Sequence, residues 1–559
     1  MKKYIIYLTA SITLVMIGFW ACKTDITDNI NINFNTAIYK SPTLIRFVNA
    51  NTSSTVQPGN FSVVITGKDA GKVVMETGGT NFKTIDGFLQ LALLKNVSPT
   101  IENPITFNVS VAEESFAPIS QTIIITDTTS RTKIIPMIEY ANPAEGTSSA
   151  ISTTSLNNGV AGLQKIVTPT TGSVSETTTI TIPQGTVMKD VSGNTINTSS
   201  LKTSVVYFNA VSPTSLSAFP GGLSPSNIIG ITGGGDFITV GLVSVKMNAG
   251  GTEVKKFSSP INVNMQVNAG LTNPVTNNPY VKGDTIPIWS MDDATGQWKY
   301  ESTGTMALDN TNKLYVSFAA SHLSSWNLDF IRSGSSCNNP LKYTIQTNDG
   351  STIPTGSYSI VLGTSNYAPK FKNGYWEYYG NGYFGKGLYS SSIYDGYTDL
   401  IYRVPAMSPV QIWVLDERNG TSFKSGNISP CSGTNNIINV TRNLPPVITV
   451  NISATAKCNT QSVTAQLNGW VYLRKQSSRW YDWQYVYVKN GQATFQLEDG
   501  ASYYVQAIDA SNGRWVSTVG TFSSTMTGTF SDNGLSATGS YDATKKVYSL
   551  TLTKKVDCN

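Results

Sequence analysis

A single histidine, His322, is all the imidazole that this chain of 559 residues carries. A zinc site built on several histidines is excluded, and a Ser-His-Asp set could assemble only around this one ring. Charge is equally scarce. Asp, Glu, Lys and Arg make up 13% of the residues, about half the usual share. The 39 basic residues exceed the 34 acidic ones for a net charge of +5, but they are scattered and leave no basic patch for nucleic acid. The five cysteines include no CxxC pair, which argues against a thiolate metal centre. Heptads, long amphipathic helical patterns and a second apolar span are missing too, and no motif calls for a cofactor or metal. Thr, Ser, Asn and 47 Gly fill the space, with 27 Tyr and 10 Trp. Neutral polar surface with β-branched and aromatic residues in alternating runs predicts an all-β chain of tandem β-sandwich domains. About 100–200 residues per domain gives roughly three to five of them.

The one apolar run lies at the start. Met1-Lys2-Lys3 is basic, Tyr4 to Trp20 is apolar, and the run closes on Phe19-Trp20-Ala21-Cys22. The run is short for a membrane span. A small residue before a cysteine at such a point resembles a bacterial lipoprotein signal, although the usual pattern has Leu where Phe19 stands and a small residue where Trp20 stands. The resemblance implies a signal peptide over residues 1–21, lipid on Cys22, and a chain anchored to the membrane without crossing it. Residues 22–40, with Asp25 and Asp28 among Thr and Asn, read as a tether similar to that of surface-exported lipoproteins in Bacteroidetes-like bacteria. The expected location is the bacterial outer membrane or cell surface.

Four cysteines remain, and four allow three connectivities. Cys337 opens one module and Cys431 lies near its end; Cys458 opens another and Cys558 closes it. The placement predicts Cys337–Cys431 and Cys458–Cys558 bridges, which require an oxidising compartment. Both modules hold an alternating strand that runs into Asn-Gly: Val410 to Asp416 before Asn419-Gly420, and Val505 to Asp509 before Asn512-Gly513. This is a hairpin signature. Phe107 to Val111 is a weaker cousin. The modules resemble small Ig-like or transthyretin-like sandwiches. The expected order is a sandwich over 41–142, a larger domain over 143–333, and cystine-bridged sandwiches over 334–446 and 447–559, with Pro445-Pro446 in the last linker. Gly233-Gly234-Gly235-Asp236 reads as a hairpin loop, because no Lys-Ser/Thr pair follows it as in a phosphate loop.

Residues 367–402 concentrate aromatics, broken by glycines. Tyr375, Trp376, Tyr378, Tyr379 and Tyr383 are the candidate ligand-binding set, since aromatic faces stack on the apolar faces of sugar rings. In Trp480 to Tyr487, by contrast, the aromatics at 481, 483, 485 and 487 share one parity, the ordinary pattern of a buried sandwich face.

Residues 288–329 carry the most specific pattern. Trp289 and Trp298 bracket a turn rich in Asp, Gly and Thr, an alternating strand Leu314 to Phe318 follows, and the stretch closes on His322-Leu323-Ser324 and Trp326. It resembles the proteolysis-site motif of the autoproteolysis-inducing domain of adhesion receptors. Thr179 to Thr186 similarly looks like the opening strand of related sandwiches in netrin receptors and ankyrins. The resemblance implies that Ser324 could attack the Leu323 carbonyl with His322 as base. The cysteines that brace the receptor motif are missing here, so an uncleaved turn in the same fold is expected.

No region has the size or loop pattern of a catalytic barrel. The expected function is a non-enzymatic, lipid-anchored adhesive or scaffolding rod. The alternatives are glycan capture through 367–402, with a glycan or cell-surface protein as partner, and self-cleavage between Leu323 and Ser324.

Overall fold

The computed structural model describes residues 39–332 except 224, 232–234 and 277. Beyond 332 it describes Cys337, Asn339, 341–348, 409–416, 421–441, 447–459, 462, 464–477, 483–509, 514–524, 528–532 and 535–556, and the backbone of short strands between 358 and 401. Two compact units divide the chain: residues 37–446 with 473–485, and residues 447–472 with 486–559. The fold is all-β, as the composition predicts.

The first sandwich uses seven strands: Lys40–Asn49 (β1), Val64–Thr66 (β2), Val73–Met75 (β3), Phe88–Leu93 (β4), Ile105–Val111 (β5), Ile119–Ile125 (β6) and Arg131–Met137 (β7). One sheet runs β3-β4-β1-β7 and the other β2-β5-β6. The first strand pairs parallel with the last. Ile45, Phe47, Leu89, Leu91, Phe107, Val109 and Ile135 interdigitate between the sheets.

The larger domain adds thirteen: Thr147–Asn157 (β8), Val160–Ala161 (β9), Gln164–Val167 (β10), Thr178–Ile182 (β11), Met188–Lys189 (β12), Ser200–Phe208 (β13), Asp236–Ala249 (β14), Thr252–Glu253 (β15), Lys256–Gln266 (β16), Thr285–Asp292 (β17), Gln297–Leu308 (β18), Leu314–His322 (β19) and Ser325–Arg332 (β20), with one short helix, Pro213–Ser217 (α1). Alternation sets their faces. In β19, Leu314, Val316, Phe318 and Ala320 are buried while Ser317 and Ala319 face out. In β16, Ile261, Val263 and Met265 are buried between exposed asparagines. The strand order is β10-β11-β16-β19-β18-β17-β20-β14-β13-β8-β9, a continuous sheet folded over its own core. The fold line is β18, which pairs with β17 through Thr305 and with β19 from Met306. Gly304 sits at that corner. A Cβ there would lie 2.4 Å from Val316 Cγ1, so only glycine lets the layers approach this closely.

The first sandwich and the larger domain share a second core. Ala117, Ile138 and Tyr140 of the first pack with Phe208, Phe219, Phe237, Trp289, Met291 and Trp298 of the second. Trp298 is fully buried and stacks edge-on against Phe237 with ring centroids 4.7 Å apart. These two predicted domains are therefore cemented rather than strung.

In the first cystine module, Leu341–Thr347 pairs parallel with Asn435–Val440, over a core of Leu341, Tyr343, Ile345, Ile412 and Val414. Val410–Asp416 pairs with Thr421–Lys424, joining Asp416 to Thr421 in register. The predicted Cys337–Cys431 bridge is present, closing a separation of 94 residues. In the other unit, Val447–Cys458 pairs parallel with Val547–Val556, and Ala501–Asp509 pairs with Arg514–Phe522, joining Asp509 to Arg514. The hairpins expected from the Asn-Gly repeats thus exist in both modules, and their turn residues lie outside the described residues. All three small sandwiches join an early strand to a late one in parallel, a shared plan that composition alone does not show.

Candidate functional site

The turn between β19 and β20 carries His322, Leu323 and Ser324. A β-bulge in the neighbouring hairpin supplies its acid. Ile288 pairs with Ser302 and Trp289 with Tyr300, so Glu301 has no cross-strand partner. An extra residue of this kind re-aims its side chain. Glu301 accepts a hydrogen bond from Ser290 Oγ at 2.8 Å and one from Lys299 Nζ at 3.2 Å, and it lies 3.3 Å from His322 Nε2. Burial opposes ionisation of Glu301. The bonds from Ser290, Lys299 and His322 outweigh it and hold the carboxyl below the usual carboxylate range. The half-buried His322 ring lies against Trp326 at 4.9 Å between centroids.

Ser324 is buried, and its hydroxyl donates to the Met291 carbonyl. Leu323 N donates to Lys255 O at 3.1 Å. The structure thus brings His322 and Ser324 into one turn but commits them to different partners. The imidazole faces Glu301, and the hydroxyl proton faces a backbone carbonyl on β17. A proton transfer from Ser324 to His322 requires both bonds to be exchanged first.

Two acids near this turn escaped sequence reasoning. Asp293, at the β17–β18 turn, accepts from Ser325 Oγ at 3.2 Å. Burial pushes its carboxyl up to about 6, against the pull of Lys255 and the Ser325 bond. Asp329 is fully buried on β20. Asn327 Nδ2 donates to it at 2.6 Å, and Thr239 Oγ1 donates to Asn327 Oδ1 at 2.7 Å. Burial drives the Asp329 carboxyl well above its ordinary range, against the bond from Asn327. The sequence signal is weak: an Asp inside the apolar-flanked run Trp326 to Ile331.

Among the described residues, no group of three or more His, Cys, Asp or Glu is placed to hold a metal. Cys22 and Cys558 lie outside the described residues, while Cys458 is disulfide-bonded. Of the aromatic set, Tyr375 and Trp376 lie on a short strand, Tyr375–Glu377, paired with Lys370–Lys372. Tyr378, Tyr379 and Tyr383 lie outside the described residues. In the 480s, Tyr485 and Val486 are both buried, so the strand is covered on both faces there rather than on one.

No protein-family model matches the chain, and no curated protein is significantly similar to it. Among solved structures, it is similar to a streptococcal ancillary pilin at 10% identity and a TM-score of 0.14, covering 50% of this chain and 95% of that one. The major pilin subunit of Bacillus cereus matches at 7% identity and a TM-score of 0.14, over 93% and 99% of the two chains. The pilus adhesin SpaC from Lactobacillus rhamnosus GG matches at 12% identity and a TM-score of 0.14, over 73% and 57%. Scores this low leave the functional reading to the chain's own residues.

Proposed function

We propose that this chain is a lipid-anchored bacterial surface protein with an adhesive or scaffolding role and no enzymatic activity. The observation that carries the reading is the shared core around Trp298, which joins two sandwiches into one body. A catalytic domain needs an accessible, preorganised constellation; here the polar groups of the His322 turn are engaged in bonds that hold strands together. The Cys337–Cys431 bridge fits an oxidising, extracytoplasmic setting, and the Ala21-Cys22 ending of the apolar run supplies the anchor. Intact cells carrying the wild-type chain, no chain, or Cys22→Ser should differ in attachment to surfaces or to other cells. Attachment should fall without the chain and with Cys22→Ser, and a fatty-acid analogue should label only the wild type. Unchanged attachment in both cases would overturn the reading.

Glycan capture is the second reading, motivated by the aromatic density of residues 367–402. In that case Trp376→Ala should weaken polysaccharide binding while leaving the melting temperature in place.

A further inference from the structure

The sheet of the larger domain ends on two strands that lie side by side without pairing. Its order starts at β10 and finishes at β8 and β9. The chain turns tightly from β8 into β9 and then runs back along β8 as β10. Two side-chain bonds bridge the seam. Thr154 Oγ1 donates to Gln164 Oε1 at 2.7 Å, and Ser148 Oγ donates to the Pro169 carbonyl. Among the described residues no backbone ladder crosses it. The free groups follow from the ladder on the other side. Leu156 N donates to Ser199 O next to β13, and antiparallel pairing turns the backbone groups of successive residues in opposite directions. Ser149, Ile151, Thr153 and Ser155 therefore turn their N–H and C=O groups toward the seam.

On the core side the seam is thinly filled. Val205, Thr203 and Leu201 of β13 are buried, and they pair with Ala150, Ser152 and Thr154 of β8, which are small and only half-buried. On the outer side Ile151, Leu163 and Val167 are exposed. A long strand edge without charge or proline invites a further strand, and β8 has neither from Thr147 to Asn157. By contrast β7, an edge of the first sandwich, carries Arg131, Lys133 and Pro136.

We propose that residues 29–35 of a second copy of this chain enter the seam as an added strand, with Ile30, Ile32 and Phe34 toward the core and their backbone on β8. These residues precede the described part of the chain and read Asn-Ile-Asn-Ile-Asn-Phe-Asn, a strict alternation without charge. That is the pattern of a strand with one buried face, and its large apolar residues complement a seam lined by small ones. Chain length excludes the molecule's own seam. β1 starts at Lys40 and runs on into Ala50, which packs against the core shared with the larger domain. Lys40 therefore stands about 30 Å from that joint. β8 begins just after Ala144 of the same core. The stretch from Asn35 to Lys40 reaches at most about 17 Å. The strand comes from another copy, and passing it from copy to copy links the chains head to tail.

The test is photo-crosslinking between full-length chains. A probe chain carries the photoreactive residue p-benzoylphenylalanine in place of Phe34, and its partner chain is labelled with heavy isotopes, so that each crosslinked peptide reports which copy it came from. Irradiation should join position 34 of the probe chain to residues 148–167 of the heavy chain. A heavy chain with Ile32→Asp still offers its seam and should crosslink as wild type does. A heavy chain with Thr153→Pro lacks an N–H on the seam side and should lose at least tenfold in yield. Ser152→Glu, a charge on the half-buried core side of β8, replaces it if proline prevents folding. No crosslink between copies, a crosslink confined to the probe chain, or one that maps elsewhere on the heavy chain overturns the proposal. So does a yield that neither Thr153→Pro nor Ser152→Glu lowers.

Discussion

Replacing Trp298 by alanine should destabilise the joined sandwiches by about 3 kcal/mol. The indole is fully buried, packs edge-on against Phe237, and lies so close to Gly221 that a Cβ there would fall 2.6 Å from its Nε1. Truncating a large aromatic in such packing costs about 3–5 kcal/mol in lost burial and residual cavity. One effect works the other way. Trp298 Nε1 is a buried donor without a partner, and removing an unsatisfied donor recovers about 1 kcal/mol, which puts the net near the lower end of the range. A body of nearly 300 residues should lose roughly 5 °C of melting temperature. Urea denaturation followed by limited proteolysis between residues 138 and 146 reads both the cost and its location, since Ile138, Tyr140 and Ala144 of that linker belong to the shared core. A loss under 1 kcal/mol, or a full loss with no new cleavage in the linker, would show that the cluster does not hold the two domains together.

Asp293→Asn should stabilise the protein at pH 7–8. The folded carboxyl titrates at about 6 against 3.8 for the free group, so its stabilising proton is fully held below about pH 4 and lost as pH rises through 6. The full shift corresponds to about 3 kcal/mol; because the side chain keeps partial access to solvent, about 1 kcal/mol is expected. The variant should show a flatter stability profile between pH 4 and 6, and a variant as pH-dependent as wild type would refute the assignment. A denaturing gel of mature protein should give one band, because the Ser324 proton is engaged by Met291 O rather than His322; two bands that merge in Ser324→Ala would contradict this. Non-reducing peptide mapping should recover a Cys458–Cys558 bridge beside Cys337–Cys431, since the parallel register sets Cys458 opposite Val556, two residues before Cys558 in sequence. A Cys431–Cys458 linkage would refute the one-bridge-per-module plan.

What is legible in the sequence is local or bracketing. Period-two alternation marks β16 and β19 because one face of each is buried and the other is wet. Cys337 and Cys431 pair as expected because each stands at a border of its module. The same alternation places His322 and Ser324 in one turn. It does not give their partners, because Glu301 reaches His322 only through a one-residue bulge, and a bulge depends on register between strands rather than on composition. The joint is invisible for a related reason. Tyr140 and Trp298 read as ordinary strand aromatics, and nothing near either one says that they meet in a core shared by two distant stretches of chain. Asp329 is hidden because a buried acid has the same letter as a solvated one.

Pulling the full-length chain from its two ends tests the scaffolding role most directly. A scaffold of this build should show discrete rupture events, with the first sandwich and the larger domain yielding together. The Cys337–Cys431 module should withhold its loop of 94 residues until reductant is added, and then release roughly 310–340 Å of extra length. Smooth extension at low force, or separate independent rupture of the first sandwich and the larger domain, would contradict it.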